Sequence, residues 1–529
     1  MASASPAPPL TLDGALRRGA AAHAAARLVF HSPAALVETD LATVHQRALR
    51  VAEGLGRLGV RPGEVVAVQL TNSPESLVAH AAVLLRGAVL LPVIAIYGNR
   101  ELGFILRQSK AVALIAVAGR AARALNKELS ADLRHVVSVG PDHPQGAVPW
   151  EAVENPAAAL GPQAASVPPG SPDDLAALVY TSGTTGEPKG VRHTHRSLLA
   201  EVATMPNTPV AGAYLNPFPP GHIASLGVLL RTMIRGISAV FLQKWDGDAA
   251  LDLIHTYDVR SSGGVPFHLA GLLDAAQRSG RGTGPLRDYL VGAANVAPVL
   301  VRRAAQAGIA AYRSYGSSEH PTITSGRPED PLRWRAHTDG RPQPGCEIRV
   351  VGFDGTDVAP GQDGEILSRG PELFAGYTDP ALNEGVLTPD GWLHTGDIGH
   401  LDDNGCLTIT DRLKDLIVRG GEKIASKEVE DILATHPSVA EAAVVAEPDT
   451  RYGERVCAFV VVRDGRELTP DEVAAHFARA GVARQKTPER LILLPEMPRT
   501  PAGKIRKHDL RARLRPAPAP MDPVERPSV

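Results

Sequence analysis

Cysteine is scarce in this chain. Among its 529 residues only Cys346, Cys406 and Cys457 occur, far apart and without metal-ligand spacing, which argues against a disulfide framework or a zinc site. Long apolar runs are missing as well. No stretch of 18 or more apolar residues occurs, and Met1 to Leu10 is short, Ala/Pro-rich and uncharged, so neither membrane insertion nor secretion is expected and the chain reads as cytoplasmic. An excess of one charge is absent too: 55 basic side chains face 57 acidic ones, a formal charge of -2, so no field of one sign points to nucleic acid or a membrane surface. Lysine is rare, at 10 of the 55 basic residues. Four of those ten, Lys189, Lys414, Lys423 and Lys504, fall inside the short motifs considered below. In a chain that prefers arginine, a retained lysine suggests a position that needs a compact ammonium.

What is present is enough apolar material, 44% of the residues, for several cores. A length prior of about 100 to 200 residues per domain suggests three or four folding units. Between Leu41 and Ile115 the pattern alternates: helical spacing over Val44 to Leu58, a β-branched run over Val65 to Leu70, and helical spacing again over Ser73 to Leu85. Such alternation predicts a parallel sheet covered by helices. A Pro/Ala/Gly-rich stretch, Asn155 to Pro172, reads as a linker or surface loop before a second α/β unit from Leu175 to Ser325, with a strand at Ala239 to Leu242 and a helix at Leu300 to Ala307. Beyond Thr338 short β runs bounded by turns, Glu347 to Val351, Gly364 to Ser368 and Cys406 to Ile409, predict a small β-rich subdomain. A compact helix and strand series follows Lys414, and the Pro-rich tail from Pro516 is expected to be disordered.

The most specific segment runs from Tyr180 through Thr181, Ser182, Gly183, Thr184, Thr185, Gly186, Glu187, Pro188 and Lys189 to Gly190, directly after the apolar run Leu175 to Val179. Hydroxyls and glycines packed this closely offer donors that wrap a polyphosphate, and Lys189 adds a mobile positive charge. It is not a Walker A loop, because Pro188 stands where the second glycine belongs and Gly190 replaces the magnesium-binding hydroxyl. The bland alternative is a flexible Gly/Thr surface turn.

Several further motifs follow in order: Gly292-Ala293-Ala294, Tyr312-Arg313-Ser314-Tyr315-Gly316-Ser317-Ser318-Glu319-His320, Gly391 to Asp397, Asp411-Arg412-Leu413-Lys414-Asp415, Arg419-Gly420-Gly421-Glu422-Lys423 and Pro498 to Ile505. Taken singly, each reads as well as ordinary packing, a turn, a helix cap or a solvated charge run. In this order, from Leu41 to Leu514, the chain closely resembles the adenylate-forming superfamily of acyl-CoA synthetases, aryl-CoA ligases, peptide-synthetase adenylation domains and luciferases. The resemblance implies an α/β fold in which a large N-terminal domain of two α/β subdomains and a small β-barrel, residues 1–413, precedes a small mobile α+β domain, residues 414–515, and a disordered tail, 516–529.

The resemblance also assigns roles. Thr181 to Gly186 and Lys189 would hold the phosphates of ATP, with Thr185 taking part in the chemistry. Gly292, Ala293 and Ala294 would lie against the adenine plane. Tyr315 would stack on the base beside Gly316 and Ser317, Ser318 would bond the α-phosphate, and Glu319 would help hold Mg²⁺, a hard ion suited to oxygen ligands. Asp397 would accept both ribose hydroxyls, and Arg412 would touch ribose or phosphate. Lys414 would be the hinge, Gly420 and Gly421 would line the thiol tunnel, and Lys504 would be the adenylation lysine. His222, in a Phe218-Pro219-Pro220-Gly221-His222 segment with one more proline than common versions, together with Val265, Pro266, Phe267 and Ser314, would border an apolar, medium-sized acid pocket. A lone histidine such as His222 is equally a structural residue.

The implied reaction activates a small-molecule carboxylic acid with ATP and Mg²⁺, releases pyrophosphate, and passes the acyl group from the acyl-adenylate to coenzyme A. A carrier-protein thiol as acceptor, activation of nitrite for transfer to an amine, and a nucleotide-binding protein without catalysis are the alternatives.

Overall fold

In the computed structural model the described residues are 11–125, 129–156, 170–181, 188–205, 211–352, 354–500 and 503–514. The chain separates into two compact units, one of residues 1–413 with Thr500–Lys504, the other of Lys414–Arg499 with the residues from Ile505 onward.

Local rules start the helices of the first unit. Asp40 caps Leu41–Arg57 by accepting a 2.7 Å bond from the Thr43 amide, and the helix buries Leu41, Val44, Ala48, Val51, Ala52 and Leu55, a stripe at helical spacing. Pro74–Leu85 has Ser73 as its cap and proline in its first turn, and every one of its residues except Glu75 is buried. A helix apolar on all sides needs a core on all sides. That core joins Val66, Val68 and Leu90 of one sheet to Leu28, Phe30, Ala239 and Phe241 of another, with Leu226, Leu230 and Met233 of the helix Ile223–Arg235 among them.

The first sheet has seven strands in the order Val148–Pro149, His135–Val139, Ala113–Val117, Val65–Gln69, Val89–Pro92, Leu175–Thr181 and Lys189–Thr194. The second has nine, in the order Arg341–Pro342, Thr324–Ser325, Ala310–Tyr315, Asp288–Gly292, Val259–Gly264, Ala213–Asn216, Ala239–Leu242, Arg27–His31 and Leu36–Asp40. The division of the chain at Asn155 to Pro172 therefore needs correction. Strands after that stretch complete the first sheet, through the pairing of Leu90 with Ala177, and strands before Leu41 extend the second, through the pairing of Val29 with Val240. Strand order is set by which apolar edges meet, and a sequential reading does not see such exchanges. Residues 157–169 of the stretch lie outside the described residues.

The β-rich segment forms an antiparallel sheet of Glu347–Val351, Gly364–Arg369, Leu393–Leu401 and Leu407–Arg412 in chain order. Among the described residues its ladder is open, where a small barrel was expected. The second unit is a five-stranded sheet in which Gly453–Val462 pairs with Val439–Asp449, Ile417–Arg419 and Arg490–Leu493, while Glu422–Ile424 pairs with Ile417–Arg419. Its cores gather around Ile417, Val429, Val444, Val456 and Phe477 on one side and Val445, Phe459, Met497 and Leu510 on the other. The tail expected to be disordered, 516–529, lies outside the described residues. Among the described residues no helix is long and apolar enough to cross a membrane.

Candidate functional site

Four parallel strands, Ala213–Asn216, Val259–Gly264, Asp288–Gly292 and Ala310–Tyr315, end at one edge of the nine-stranded sheet. In open α/β sheets the carboxyl ends of strands are where ligands enter. Gly292 pairs with Ser314 there, and a Cβ at Gly292 would stand 2.5 Å from the Ser314 carbonyl oxygen, so only glycine fits. The next residue, Ala293, takes φ +63°, a left-handed conformation that costs an L-residue roughly 1 to 2 kcal/mol. Backbone strain of this kind gathers at binding sites. Ala294 is exposed beside it.

At the end of the neighbouring strand the Tyr315 hydroxyl donates a 2.7 Å bond to Asp397 Oδ2. Burial and the adjoining Asp397 charge push this phenol far above its ordinary range, so it stays a donor. Asp397 arrives on the strand Leu393–Leu401, paired with Arg412, whose Nε lies 3.0 Å from Asp397 Oδ1. The Asp397 amide donates to Thr395 Oγ1 at 3.1 Å, and the Thr395 hydroxyl to the Ile366 carbonyl at 2.6 Å. A nearly buried carboxylate is thus fixed between a phenol and a guanidinium, both of its oxygens turned to donors.

The turn after Tyr315 is equally constrained. A Cβ at Gly316 would meet the Pro321 carbonyl at 2.0 Å, and Ser317 Oγ accepts from the amides of Glu319 and His320 at 3.1 and 3.2 Å. The Ser318 carbonyl accepts from His193 Nε2 at 2.8 Å, and burial holds that imidazole neutral, its pKa lowered to about 4. Glu319 Oε1 accepts a 2.8 Å bond from the Tyr377 hydroxyl, while the Lys189 ammonium sits 5.4 Å from the centre of the Tyr377 ring.

Lys189 begins a strand whose neighbour ends at Thr181, and the two residues pair. Ser182, Gly183, Thr184, Thr185 and Gly186, expected to hold phosphate, lie outside the described residues. The far side of Lys189–Thr194 is sealed by residues 375–378, through Thr378 N–H to Gly190 O at 2.8 Å and Ala375 N–H to Arg192 O at 2.8 Å.

His222 caps the helix Ile223–Arg235, its Nδ1 accepting from the Ala224 amide at 3.2 Å. Its ring stacks on Phe218 with centroids 5.4 Å apart, and Phe218 in turn meets His268 edge-on at 5.8 Å. Burial, then the Lys504 charge, then His268 lower the His222 pKa to about 3, so it is a neutral wall. The Pro219-Pro220-Gly221 turn that positions it is packed so tightly that a Cβ at Gly221 would lie 2.5 Å from the Ile94 nitrogen. Val265 is buried and Pro266 opens the helix Pro266–Ser279, whereas Phe267 is exposed. Ser314 is half-buried and donates to the Thr324 carbonyl at 3.0 Å.

Lys504 closes a tight loop in which the Thr500 amide donates to the Lys504 carbonyl at 2.7 Å and the Lys504 amide to Thr500 Oγ1 at 3.1 Å. Gly503 takes φ +84° there, and Thr500–Lys504 segregate with the first unit. In the second unit Gly420 and Gly421, at φ +59° and +91°, turn between the strands Ile417–Arg419 and Glu422–Ile424. A Cβ at Gly421 would meet nothing within 4 Å, so that turn offers an open backbone surface. Lys414 is the first residue of this unit.

Four participants escaped the sequence reading: Tyr377, His193, Glu201 and Glu372. Each lies outside the motif it serves, and only Glu201, between Ala200 and Val202, and Glu372, between Pro371 and Leu373, are marked as polar residues amid apolar neighbours. Glu201 and Glu372 form a buried carboxyl pair behind the Glu319 turn, Glu372 accepting from the Thr204 hydroxyl and, at 3.0 Å, from the Thr322 amide. Burial and the Glu372 charge push Glu201 well above the carboxylate range, and burial pushes Glu372 up to about 7. A carboxyl with a raised folded pKa holds a proton that the unfolded chain has released, so its stability contribution is lost as pH rises from about 4.5 to about 7. Glu372→Gln is therefore expected to melt above wild type at about pH 8, with the gain shrinking toward about pH 5. An equal offset at both values would refute this account of the pair.

Comparison with known proteins agrees with the site. Residues 20–378 match the family described as AMP-binding enzyme, and residues 428–504 match the AMP-binding enzyme C-terminal domain. The medium-chain fatty-acid–CoA ligase of Escherichia coli (strain K12) is 39% identical over 346 residues, 64% of this chain and 61% of that enzyme. A 3-[(3aS,4S,7aS)-7a-methyl-1,5-dioxo-octahydro-1H-inden-4-yl]propanoyl:CoA ligase of Rhodococcus jostii (strain RHA1) is 34% identical over 531 residues, 95% of this chain and 98% of that one. The solved structure of ATP-bound MatB from Rhodopseudomonas palustris has a TM-score of 0.83 at 28% identity, covering 94% of this chain and 98% of that one. The chain belongs to the adenylate-forming superfamily of AMP-binding enzymes.

Proposed function

We propose that this chain is a cytoplasmic, AMP-forming acid–thiol ligase that activates a carboxylic acid with ATP and passes the acyl group to coenzyme A. The observation that carries the reading is the Tyr315–Asp397–Arg412 cluster beside the glycine cradle at Gly292: a carboxylate with both oxygens presented to donors suits a ribose, and a floor that excludes a side chain suits a flat base. Tyr315 stands four residues before Glu319, whose carboxylate Tyr377 holds while its ring faces the Lys189 ammonium, and phosphates would lie on that side. Among the described residues no three His, Cys, Asp or Glu side chains gather to hold a metal ion. Mg²⁺ would accordingly arrive with the phosphates and take Glu319 as its carboxylate, supplying charge neutralisation there.

A carboxylate is a poor acyl donor because its leaving group would be oxide. Attack of one carboxylate oxygen on the α-phosphorus breaks the bond to pyrophosphate and leaves a mixed anhydride whose leaving group is AMP. This chain's part is placement and charge: Asp397 and Arg412 hold the ribose, Lys189 faces the leaving phosphates, and Lys504 offsets the negative charge that accumulates between acid and α-phosphate. His222, uncharged, shapes the acid side without adding a competing charge. A thiol sulfur then attacks the anhydride carbonyl, expelling AMP.

Acid-dependent exchange of pyrophosphate into ATP tests the first half-reaction, and mass detection of an acyl-CoA tests the second. Exchange without thioester, repaired by a phosphopantetheine carrier, would replace the acceptor; no exchange with any acid, nitrite included, would overturn the reading. Lys414, at the boundary of the two units, is assigned the exchange between half-reactions. Proline there fixes φ, so Lys414→Pro is expected to keep acid-dependent pyrophosphate release while cutting thioester formation at least about tenfold. Equal loss of both activities would place the pivot elsewhere.

A further inference from the structure

Residues 375–378 run antiparallel beside the strand that Lys189 begins. The Ala375 amide donates to the Arg192 carbonyl at 2.8 Å, the Arg192 amide to the Gly376 carbonyl at 3.1 Å and the Thr378 amide to the Gly190 carbonyl at 2.8 Å, with Tyr377 opposite Val191. The Tyr377 amide is itself tied, donating to Asn383 Oδ1 at 2.9 Å. Its ring is 4% exposed and packs among Val191, Phe374 and Leu393, the Phe374 ring standing edge-on with centroids 4.9 Å apart. Backbone and packing together fix where the hydroxyl points.

It points at the Glu319 carboxylate. The hydroxyl donates to Glu319 Oε1 at 2.8 Å, and burial together with the Glu319 charge keeps the phenol far above its ordinary pKa, so it remains a donor. The same segment holds the Glu319 backbone, through the Phe374 amide to the Glu319 carbonyl at 2.8 Å, while Ser317 Oγ accepts from the Glu319 amide at 3.1 Å. Among the described residues the Glu319 carboxylate accepts no other hydrogen bond and enters no ion pair. Lys189, whose ammonium lies 5.4 Å from the centre of the Tyr377 ring, enters none either among those residues. A lysine and a glutamate gathered around one side chain would ordinarily pair with each other. Here the hydroxyl meets the anion and the ring meets the cation, and each charge keeps capacity for a ligand. A half-buried carboxylate with lone pairs to offer, near the lysine assigned to phosphate, fits a hard divalent ion that arrives with ATP.

We propose that Tyr377 is a positioning residue for Mg·ATP, its hydroxyl orienting the Glu319 carboxylate as the protein's oxygen ligand to the metal. The inference rests on the adenylation reading and deepens it, because it assigns the metal's protein ligand a partner that no sequence motif supplies. Groups that orient a metal-binding side chain matter to affinity although they never touch the ion, since a ligand free to turn loses order each time it binds. In Tyr377→Phe the ring stays beside Lys189 and only the bond to Glu319 is removed.

Calorimetric titration of ATP into the full chain, once with Mg²⁺ and once with EDTA in its place, gives the factor by which Mg²⁺ tightens ATP. Tyr377→Phe is expected to cut that factor at least about tenfold while leaving metal-free ATP binding within about twofold of wild type. In a Glu319→Gln background the same substitution should change the factor by less than about twofold, because a residue that acts through Glu319 has nothing left to act on. A wild-type factor in Tyr377→Phe overturns the proposal. Equal weakening with and without Mg²⁺ overturns it too, since a merely structural tie would weaken both, and so does an undiminished effect in the Glu319→Gln background. Binding of ATP needs no acid, so failure of pyrophosphate exchange with every acid would sink the adenylation reading while the Mg²⁺ factor still decides the role of Tyr377.

Discussion

Lys504→Ala is expected to slow acid-dependent pyrophosphate release by about 10²- to 10³-fold, the effect of removing one preorganised charge from a transition state that gathers negative charge. The loop that bears the residue is held by backbone groups and the Thr500 hydroxyl, none of which the substitution removes, so the loss would be of the ammonium alone. Arginine in its place should not restore the rate, because a planar guanidinium does not occupy the same volume between acid and α-phosphate. Thioester formation from chemically prepared acyl-adenylate and coenzyme A should survive, since that step no longer builds charge on the phosphorus. A second readout is independent of turnover. The Lys504 charge is one cause of the low pKa of His222, and in the variant that pKa should rise while staying below its ordinary value, because burial is the larger cause. An unchanged rate of pyrophosphate release would sink the assignment, and so would equal damage to both half-reactions in a variant that melts normally.

Which parts of this site a sequence reveals follows from what each part is made of. The helices Leu41–Arg57 and Pro74–Leu85 and the strands Val65–Gln69, Ala239–Leu242 and Glu347–Val351 were legible because apolar periodicity and capping residues act within a few positions. The grouping of strands into sheets was not. Arg27–His31 joins Ala239–Leu242 across more than two hundred residues, and nothing local announces that pairing. The same divide runs through the site. Gly292, Gly316 and Asp397 stand in short runs whose spacing the backbone dictates, and the structure gives physical reasons for two of them in Cβ positions already filled by carbonyl oxygens. Tyr377 reaches Glu319 from a segment with no motif of its own, and Arg231 lies in a helix whose pattern reads as plain core. A buried arginine or glutamate inside an apolar stripe was the only available signal, and it points to a polar interior without saying what shares it.

The largest loss of nucleotide affinity is expected from Asp397→Ala. The carboxylate is 7% exposed, with Oδ2 accepting from the Tyr315 hydroxyl at 2.7 Å and Oδ1 facing Arg412 Nε at 3.0 Å, and each oxygen has lone-pair capacity for one more donor. Two ribose hydroxyls bonded to a charged acceptor are worth about 1.5 to 3 kcal/mol each, so losing both should weaken ATP binding by roughly 10²- to 10⁴-fold. Part of the effect would come from the groups left behind. Without the carboxylate, Tyr315 and Arg412 lose their acceptor, and the phenol, freed from a neighbouring negative charge, no longer has that reason for its raised pKa. Asp397→Asn separates these contributions: its amide oxygen still accepts one bond while its NH₂ opposes the second, so its affinity should fall between wild type and the alanine variant. Acid affinity should change little in either, because the acid side is shaped by His222, Phe218 and Ser314 on other elements. Calorimetric titration with ATP decides the matter. Wild-type affinity in a folded Asp397→Ala protein would show that the ribose is held elsewhere, and the Tyr315–Asp397–Arg412 cluster would then be a structural tie between the strands Ala310–Tyr315 and Leu393–Leu401.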